Sequence, residues 1–175
     1  VDYGTRPHEL AAYLDDRWLL TGSTTVRGGL RGRYLSDGER WLLEPRLTVA
    51  QDLAENLRLR AGFGLYYQYL QLVTTEGFSA GDFYLPIDAT ADPGRSVQTV
   101  VGLEWTPTDH DLVSIEFYDT GLHDLVVFDN TSAEDQTQID AESIFHTGGT
   151  GYARGMEVLL RRDLGEVTGW IGYTL

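Results

Sequence analysis

The chain has no cysteine and no lysine. Without cysteine it can build neither a disulfide scaffold nor a thiolate metal site, and its redox compartment stays undetermined. All of its 13 basic side chains are Arg. These are outnumbered by 27 acids, for a formal net charge of -14. A surface so poor in cations argues against general nucleic-acid binding, which needs basic groups to displace counterions. No apolar run approaches the ~20 residues of a membrane-spanning helix. At VDYGTRP there is no initiator Met, basic region or apolar core, so any targeting signal has been removed or lies outside the 175 residues. The last residues, GWIGYTL, stop inside an alternating pattern, and a fragment of a longer protein is expected.

What is present is strict alternation. In LRLRAGFGLYYQYLQL, residues 57–72, Leu57, Leu59, Ala61, Phe63 and Leu65 take one parity and Arg58, Arg60, Gly62 and Gly64 the other. Strands of soluble sheets are usually about 5–6 residues long. A tilted membrane strand needs about 9–11. Reading the whole chain for period 2 with turn signals between segments gives about eight strands. They span residues 8–20, 26–36, 41–53, 57–72, 96–107, 112–129, 152–163 and 167–175.

The connections alternate in length. TGSTT, LAEN, TPTDHD and DLGE are short and turn-like. Between them fall SDGER, the segment 73–95, and an acidic stretch ending in HTGGTG. An up-and-down antiparallel sheet sends every second connection to the same end, which matches the short turns and long loops of outer-membrane barrels.

The parities are consistent with a lipid-facing side. Val26, Gly28, Leu30, Gly32 and Tyr34 oppose Arg27, Gly29, Arg31 and Arg33; Val113, Ile115 and Phe117 oppose Ser114, Glu116 and Tyr118. An Arg facing lipid at the midplane costs roughly 2–4 kcal/mol, so a slip of one residue that turned three outward would cost on the order of 6–12. The charged parity is expected to look inward. A soluble sandwich would bury the other face, and alternation alone does not separate the two cases. Strand length favours the membrane, and so do the aromatics near strand ends, with Trp18 and Trp105 by short turns and Tyr66, Tyr67 and Tyr69 by a long loop. Two segments, HELAAYLDDRWLL and TVAQDLAENLRL, fit helix and strand about equally, and only their neighbours tip them toward strand.

The order of these stretches, ELAAYLDDRWLL, VRGGLRGRY, LEPRLTVAQDLAENLRLRAGFGLYYQYLQL, VSIEFYDTGLHDLV and GYARGMEVLLRRDLGEVTGWIGYTL, resembles the barrel portion of TonB-dependent outer-membrane receptors. The resemblance spans nearly the whole chain. It implies an all-β fold, an antiparallel up-and-down transmembrane segment forming part of a larger barrel of about 22 strands. Residues 1–175 would then be a partial barrel domain, with the plug domain outside the chain. The implied function is energised uptake of a scarce nutrient of unresolved class across the bacterial outer membrane. The implied partners are outer-membrane lipid, the plug of the same full-length protein, an extracellular nutrient ligand, and an inner-membrane TonB-type energy transducer reached through segments not present here.

Within this frame Arg27, Arg31, Arg33, Arg46, Arg58 and Arg60 are expected to line the lumen and to pair with Glu44, Glu104, Glu116 and Glu157, stiffening the wall or contacting the plug. The long loop is expected to meet the ligand with Phe78, Asp82, Phe83, Tyr84 and Asp88. No catalytic, metal or cofactor site is expected. RGGLRGR is a strand ladder rather than an RGG segment, because its Arg residues share one parity. GGTGYARG lacks the ending and the following helix of a phosphate loop. The acidic stretch 129–142 lacks a calcium-loop register. Two other readings stand beside the receptor: a small closed eight-stranded barrel with a structural or adhesion role, which requires the first and last strands to pair, and an outer-membrane hydrolase, for which Asp82, Asp88 and His146 are loose candidates.

Overall fold

In a computed structural model the chain is described at residues 8–73, 83–86, 92–128 and 145–175. Ten strands occur there: β1 Glu9–Leu19, β2 Thr24–Leu35, β3 Arg40–Ala54, β4 Leu57–Gln68, β5 Leu70–Val73, β6 Phe83–Pro86, β7 Gly94–Thr108, β8 Asp111–Phe128, β9 Phe145–Arg162 and β10 Gly169–Thr174. Eight form one antiparallel sheet in the order β1-β2-β3-β4-β7-β8-β9-β10, and β5 and β6 form a separate two-stranded sheet. β1 and β10 lie at opposite edges and do not pair, so the sheet is open.

Each expected strand is present, including the two ambiguous segments. Leu10, Leu14 and Trp18 recur every four residues, and four is both close to a helical turn and an even step along a strand. Pairing of Glu9–Leu19 with Thr25–Leu35 decides the case, because eleven consecutive ladder partners satisfy the backbone.

Two boundaries differ from the sequence reading. The strand expected over 57–72 breaks at Tyr69, and Leu70–Val73 leaves the main sheet to pair with Phe83–Pro86. β9 begins at Phe145, so HTGGTG is strand rather than loop. Its glycines serve two compensating bulges. One extra residue stands in β8 between Leu122 and Leu125, and one in β9 opposite Leu125 and Val126. Asp124 (φ 54°) and Gly148 (φ 119°) take the left-handed backbone at those places. A side chain at Gly148 would be strained in that conformation.

The sheet has no packed core in the usual sense. Among the described residues the buried apolar side chains are Leu35 and Leu42, whereas Leu30, Leu47, Phe63, Val101, Trp105 and Phe117 are exposed. Register places Leu47, Phe63 and Thr99, then Val49, Ala61, Val101, Phe117 and Met156, then Leu59, Leu103, Ile115 and Val158 on one face. No second sheet covers that face among the described residues. A sandwich would bury it; here it needs an apolar solvent.

Candidate functional site: the polar face and its loop end

The same registers put Arg27, Arg31, Arg33, Glu44, Arg46, Arg58, Arg60, Glu104, Glu116 and Glu157 together on the opposite face. Glu44 is the centre of the best-buried group, at 3% exposure beside Arg33 at 7%. Its Oε2 lies 3.8 Å from Arg31 Nε and 3.7 Å from Arg33 Nη2. Arg33 Nε is also 3.1 Å from Glu9 Oε1. The Arg33 guanidinium stacks on the Tyr69 ring, 4.6 Å from its centroid, and the Tyr69 hydroxyl donates to Glu9. Three strands and Tyr69, the residue between β4 and β5, thus meet in one charged cluster.

Glu44 has a second task. The β3–β4 ladder runs up only to Arg46 and Gly64. Above it β3 pairs with β2 alone and β4 with β7 alone, so the sheet splits at its loop end. Pro45 stands at the first unpaired position, and a residue without an N–H is poorly suited to continue a central ladder. Across the split the Tyr67 backbone N–H donates to Glu44 Oε1 at 3.0 Å, so a carboxylate replaces the missing strand partner. A groove of about 510 Å³ opens there between Arg40, Trp41, Leu42, Tyr67, Asp92, Pro93, Arg95 and Asp124. Arg40 reaches across it to Asp92 at 3.2 Å. Arg33 Nε and Glu44 Oε2 are held by ion pairs without an aligned hydrogen bond, and among the described residues Arg95 Nε is buried at the groove with no hydrogen-bond partner.

The remaining charges pair differently from the sequence expectation. Arg60 meets Glu104 at 3.0 Å, as anticipated. Arg27 pairs with Asp15 at 2.7 Å and Arg58 with Asp52 at 2.5 Å, two nearby acids on the same face. Arg46 lies over the Tyr66 ring at 5.0 Å. Glu116 and Glu157 stand directly opposite each other and neither forms an ion pair among the described residues; like charges in that position are destabilising. Tyr66 and Tyr69 belong to this polar network rather than to the expected aromatic girdle, whereas Tyr67 falls on the other parity of β4. Gly64 has a tertiary reason: a Cβ there would strike the Tyr66 ring at 2.6 Å.

Sequence reading missed Glu9, Asp15, Asp52 and Tyr69. Glu9 and Asp15 were legible only once β1 was a strand, because its register brings both to the Arg-bearing side of β2. Of the expected ligand contacts, Phe78, Asp82 and Asp88 lie outside the described residues. The backbones of Phe83 and Tyr84 fall in β6, opposite Val73 and Leu72, and their side chains lie outside the described residues. The same holds for the His146 side chain.

Burial and then the hydrogen bond to the Glu9 carboxylate raise the Tyr69 phenol above its ordinary value. A raised folded-state value means that the neutral phenol's contribution is complete below about pH 10, the ordinary tyrosine value, and is lost as pH rises through the folded value. Phenolate absorbance, with Tyr69→Phe as reference, should therefore show one tyrosine titrating late. Glu9→Gln should bring it earlier; an unchanged titration would remove Glu9 as a cause.

No family's sequence profile matches the chain. No curated protein matches it either. Solved structures do. Against the siderophore receptor PirA from Pseudomonas aeruginosa the TM-score is 0.69 at 20% identity, covering 97% of this chain and 34% of that one. PirA from Acinetobacter baumannii gives 0.71 at 20% identity, covering 97% and 28%. The chain has the fold of a receptor barrel wall. The ferric-catecholate import receptor Fiu from E. coli K12 gives 0.64 at 12% identity, with 96% of this chain and 27% of that chain covered. The wall therefore spans about a third or less of the solved receptors it matches. In such a wall an open sheet with two edges is the expected state of a segment, since closure involves the rest of the barrel.

Proposed function

We propose that this chain is part of the outer-membrane barrel of a TonB-dependent receptor that imports a ferric siderophore. The observation that carries the reading is the pairing of two unlike faces: an Arg–Glu wall on one side and an uncovered apolar side on the other, over a sheet whose six inner strands run 12 to 18 residues. In this reading Arg27, Arg31, Arg33, Arg46, Arg58, Arg60, Glu104, Glu116 and Glu157 face the lumen and the plug, while the loop end meets the ligand with Phe78, Asp82, Phe83, Tyr84 and Asp88. The plug and the segment that engages the inner-membrane transducer belong to other parts of the full-length protein. The siderophore is suggested by the structural neighbours, a siderophore receptor and a ferric-catecholate import receptor.

Facing is testable directly. In the full-length protein, cysteines at Leu59, Phe63, Val113 and Ile115 should react with a lipid-soluble maleimide and those at Arg58, Arg60, Ser114 and Glu116 with a charged aqueous one. Mixed or reversed parity would overturn the lumen assignment. For function, the full-length receptor expressed in an iron-limited host without its own siderophore receptors should accumulate radiolabelled iron from a ferric catecholate. Accumulation should stop when the energy transducer is deleted. Uptake that persists without the transducer would make the protein a passive pore.

A further inference from the structure

The apolar face is bounded by two cross-strand ion pairs between β8 and β9. Asp119 stands directly opposite Arg154 and Asp111 directly opposite Arg162. Arg154 Nε is 2.5 Å from Asp119, and Arg162 Nε is 3.7 Å from Asp111. Between them the rungs on this face are Val113 with Leu160, Ile115 with Val158, and Phe117 with Met156. Eight residues separate the borders on each strand, which is about 27 Å along the strand and about 21 Å along the membrane normal at a tilt of ~40°. That is close to the ~25 Å apolar band of outer-membrane barrels. The charges stop where the hydrocarbon ends.

The two borders are not alike. At the turn end Arg162 Nε also donates to the Leu164 carbonyl at 3.2 Å, and Asp111 accepts from the Thr108 hydroxyl at 2.7 Å, so that pair is tied into its own turn. At the loop end the Arg154 side chain is 66% exposed and engages Asp119 through Nε. Its guanidinium lies over the Tyr152 ring at 4.9 Å. Tyr152 is itself exposed on the same face. Gly121 stands opposite Tyr152, and the His123 Nε2 lies 3.4 Å from where a side chain at Gly121 would begin. In a chain of charge -14, an outward cation at the membrane border with flanking aromatic and imidazole groups is the exception to be explained.

We propose that this loop-end border is a lipid-phosphate site: Arg154, flanked by Tyr152 and His123, takes a phosphate of a lipid A headgroup in the outer leaflet. The inference rests on the outer-membrane reading above. An arginine whose Nε is held by Asp119 keeps its planar Nη edge for a phosphate, and an aromatic ring at headgroup level suits a site half in lipid. Arg162 is likewise held through Nε; what sets the turn-end border apart is that it faces the other leaflet.

The test uses full-length protein extracted from outer membranes in mild detergent, with native mass spectrometry to count bound phosphorylated lipid A. Wild type should retain it; Arg154→Gln should retain about 5-fold less, the effect of one cation near a charged membrane surface. Arg162→Gln should behave as wild type. Asp119→Asn, which frees Arg154 of its competitor, should retain more. Equal retention by Arg154→Gln and wild type would overturn the site. So would equal binding of dephosphorylated lipid A, which would leave acyl contact alone, or displacement by inorganic phosphate, which would make it a simple anion site. Fluorophores at Ile115 and Val158, quenched by spin-labelled lipid, separate the two levels. Quenching with an inert Arg154→Gln overturns only the phosphate site, whereas no quenching overturns the membrane reading as well.

Discussion

Glu44→Ala is expected to destabilise the full-length receptor by about 3 kcal/mol, the lower end of the cost of breaking a buried ion pair. The carboxylate is almost wholly buried and serves Arg31, Arg33 and the Tyr67 N–H together. Its loss leaves a guanidinium at 8% side-chain exposure with Glu9 as its remaining acid among the described residues and a strand N–H without an acceptor. Arg31, at 38%, can turn to water, which keeps the figure from rising further. Glu44→Gln retains an acceptor for Tyr67 and should lose about half as much, because only the ionic part is removed. Denaturant unfolding in micelles, followed by tryptophan fluorescence, is the measurement. A change under about 0.5 kcal/mol for Glu44→Ala, the level of an ordinary surface substitution, would show that the split between β3 and β4 does not depend on this carboxylate.

Replacing residues 70–86 with a short Gly/Ser turn is expected to lower affinity for a ferric catecholate by ~10-fold or more, the loss of about 1.4 kcal/mol of contact. The barrel should remain folded. The replacement removes β5 and β6, which pair only with each other, and leaves every ladder of the eight-stranded sheet in place. It also spares Tyr69 and Asp92, whose contacts with Glu9 and Arg40 belong to the wall. A wider excision through residue 92 would confound the result by removing the Asp92 partner of Arg40. Unchanged affinity with an intact barrel would confine the hairpin to structural duty.

The main sheet was legible in the sequence to an unusual depth. Eight strands, their up-and-down order and the two faces follow from period 2 and turn residues, and both are local signals. The helix-or-strand ambiguity of residues 8–20 was real, because an apolar step of four satisfies both periods. The site was legible only in outline. The Arg parity of β2 and β4 was visible, and so was a set of acids that could pair with it, Glu44 and Glu104 among them; that Glu104 is the partner of Arg60 came from the structure. Asp15 as the partner of Arg27, Asp52 as that of Arg58 and Glu9 beside Arg33 were not visible.

The sequence by itself determined which residues can share a face, because alternation fixes the side of each Cβ without reference to any other strand. Tertiary structure alone decided which of them touch. Whether Arg33 meets Glu9 or Glu44 depends on the offset between strands, and that offset is set by the unbroken β1–β2 and β2–β3 ladders, in which Arg33 stands opposite Ala11 and Leu42; farther along the sheet, bulges at Asp52/Ala54, Trp105/Thr108 and Leu122/Leu125 displace the other ladders by one residue. The split above Arg46 and Gly64 is likewise nonlocal. Pro45 is visible in the sequence, but the end of the ladder becomes a groove only because β3 continues along β2 while β4 continues along β7. An unpaired N–H at Tyr67 then has to find an acceptor, and the Glu44 carboxylate supplies it across a gap that no periodicity could reveal.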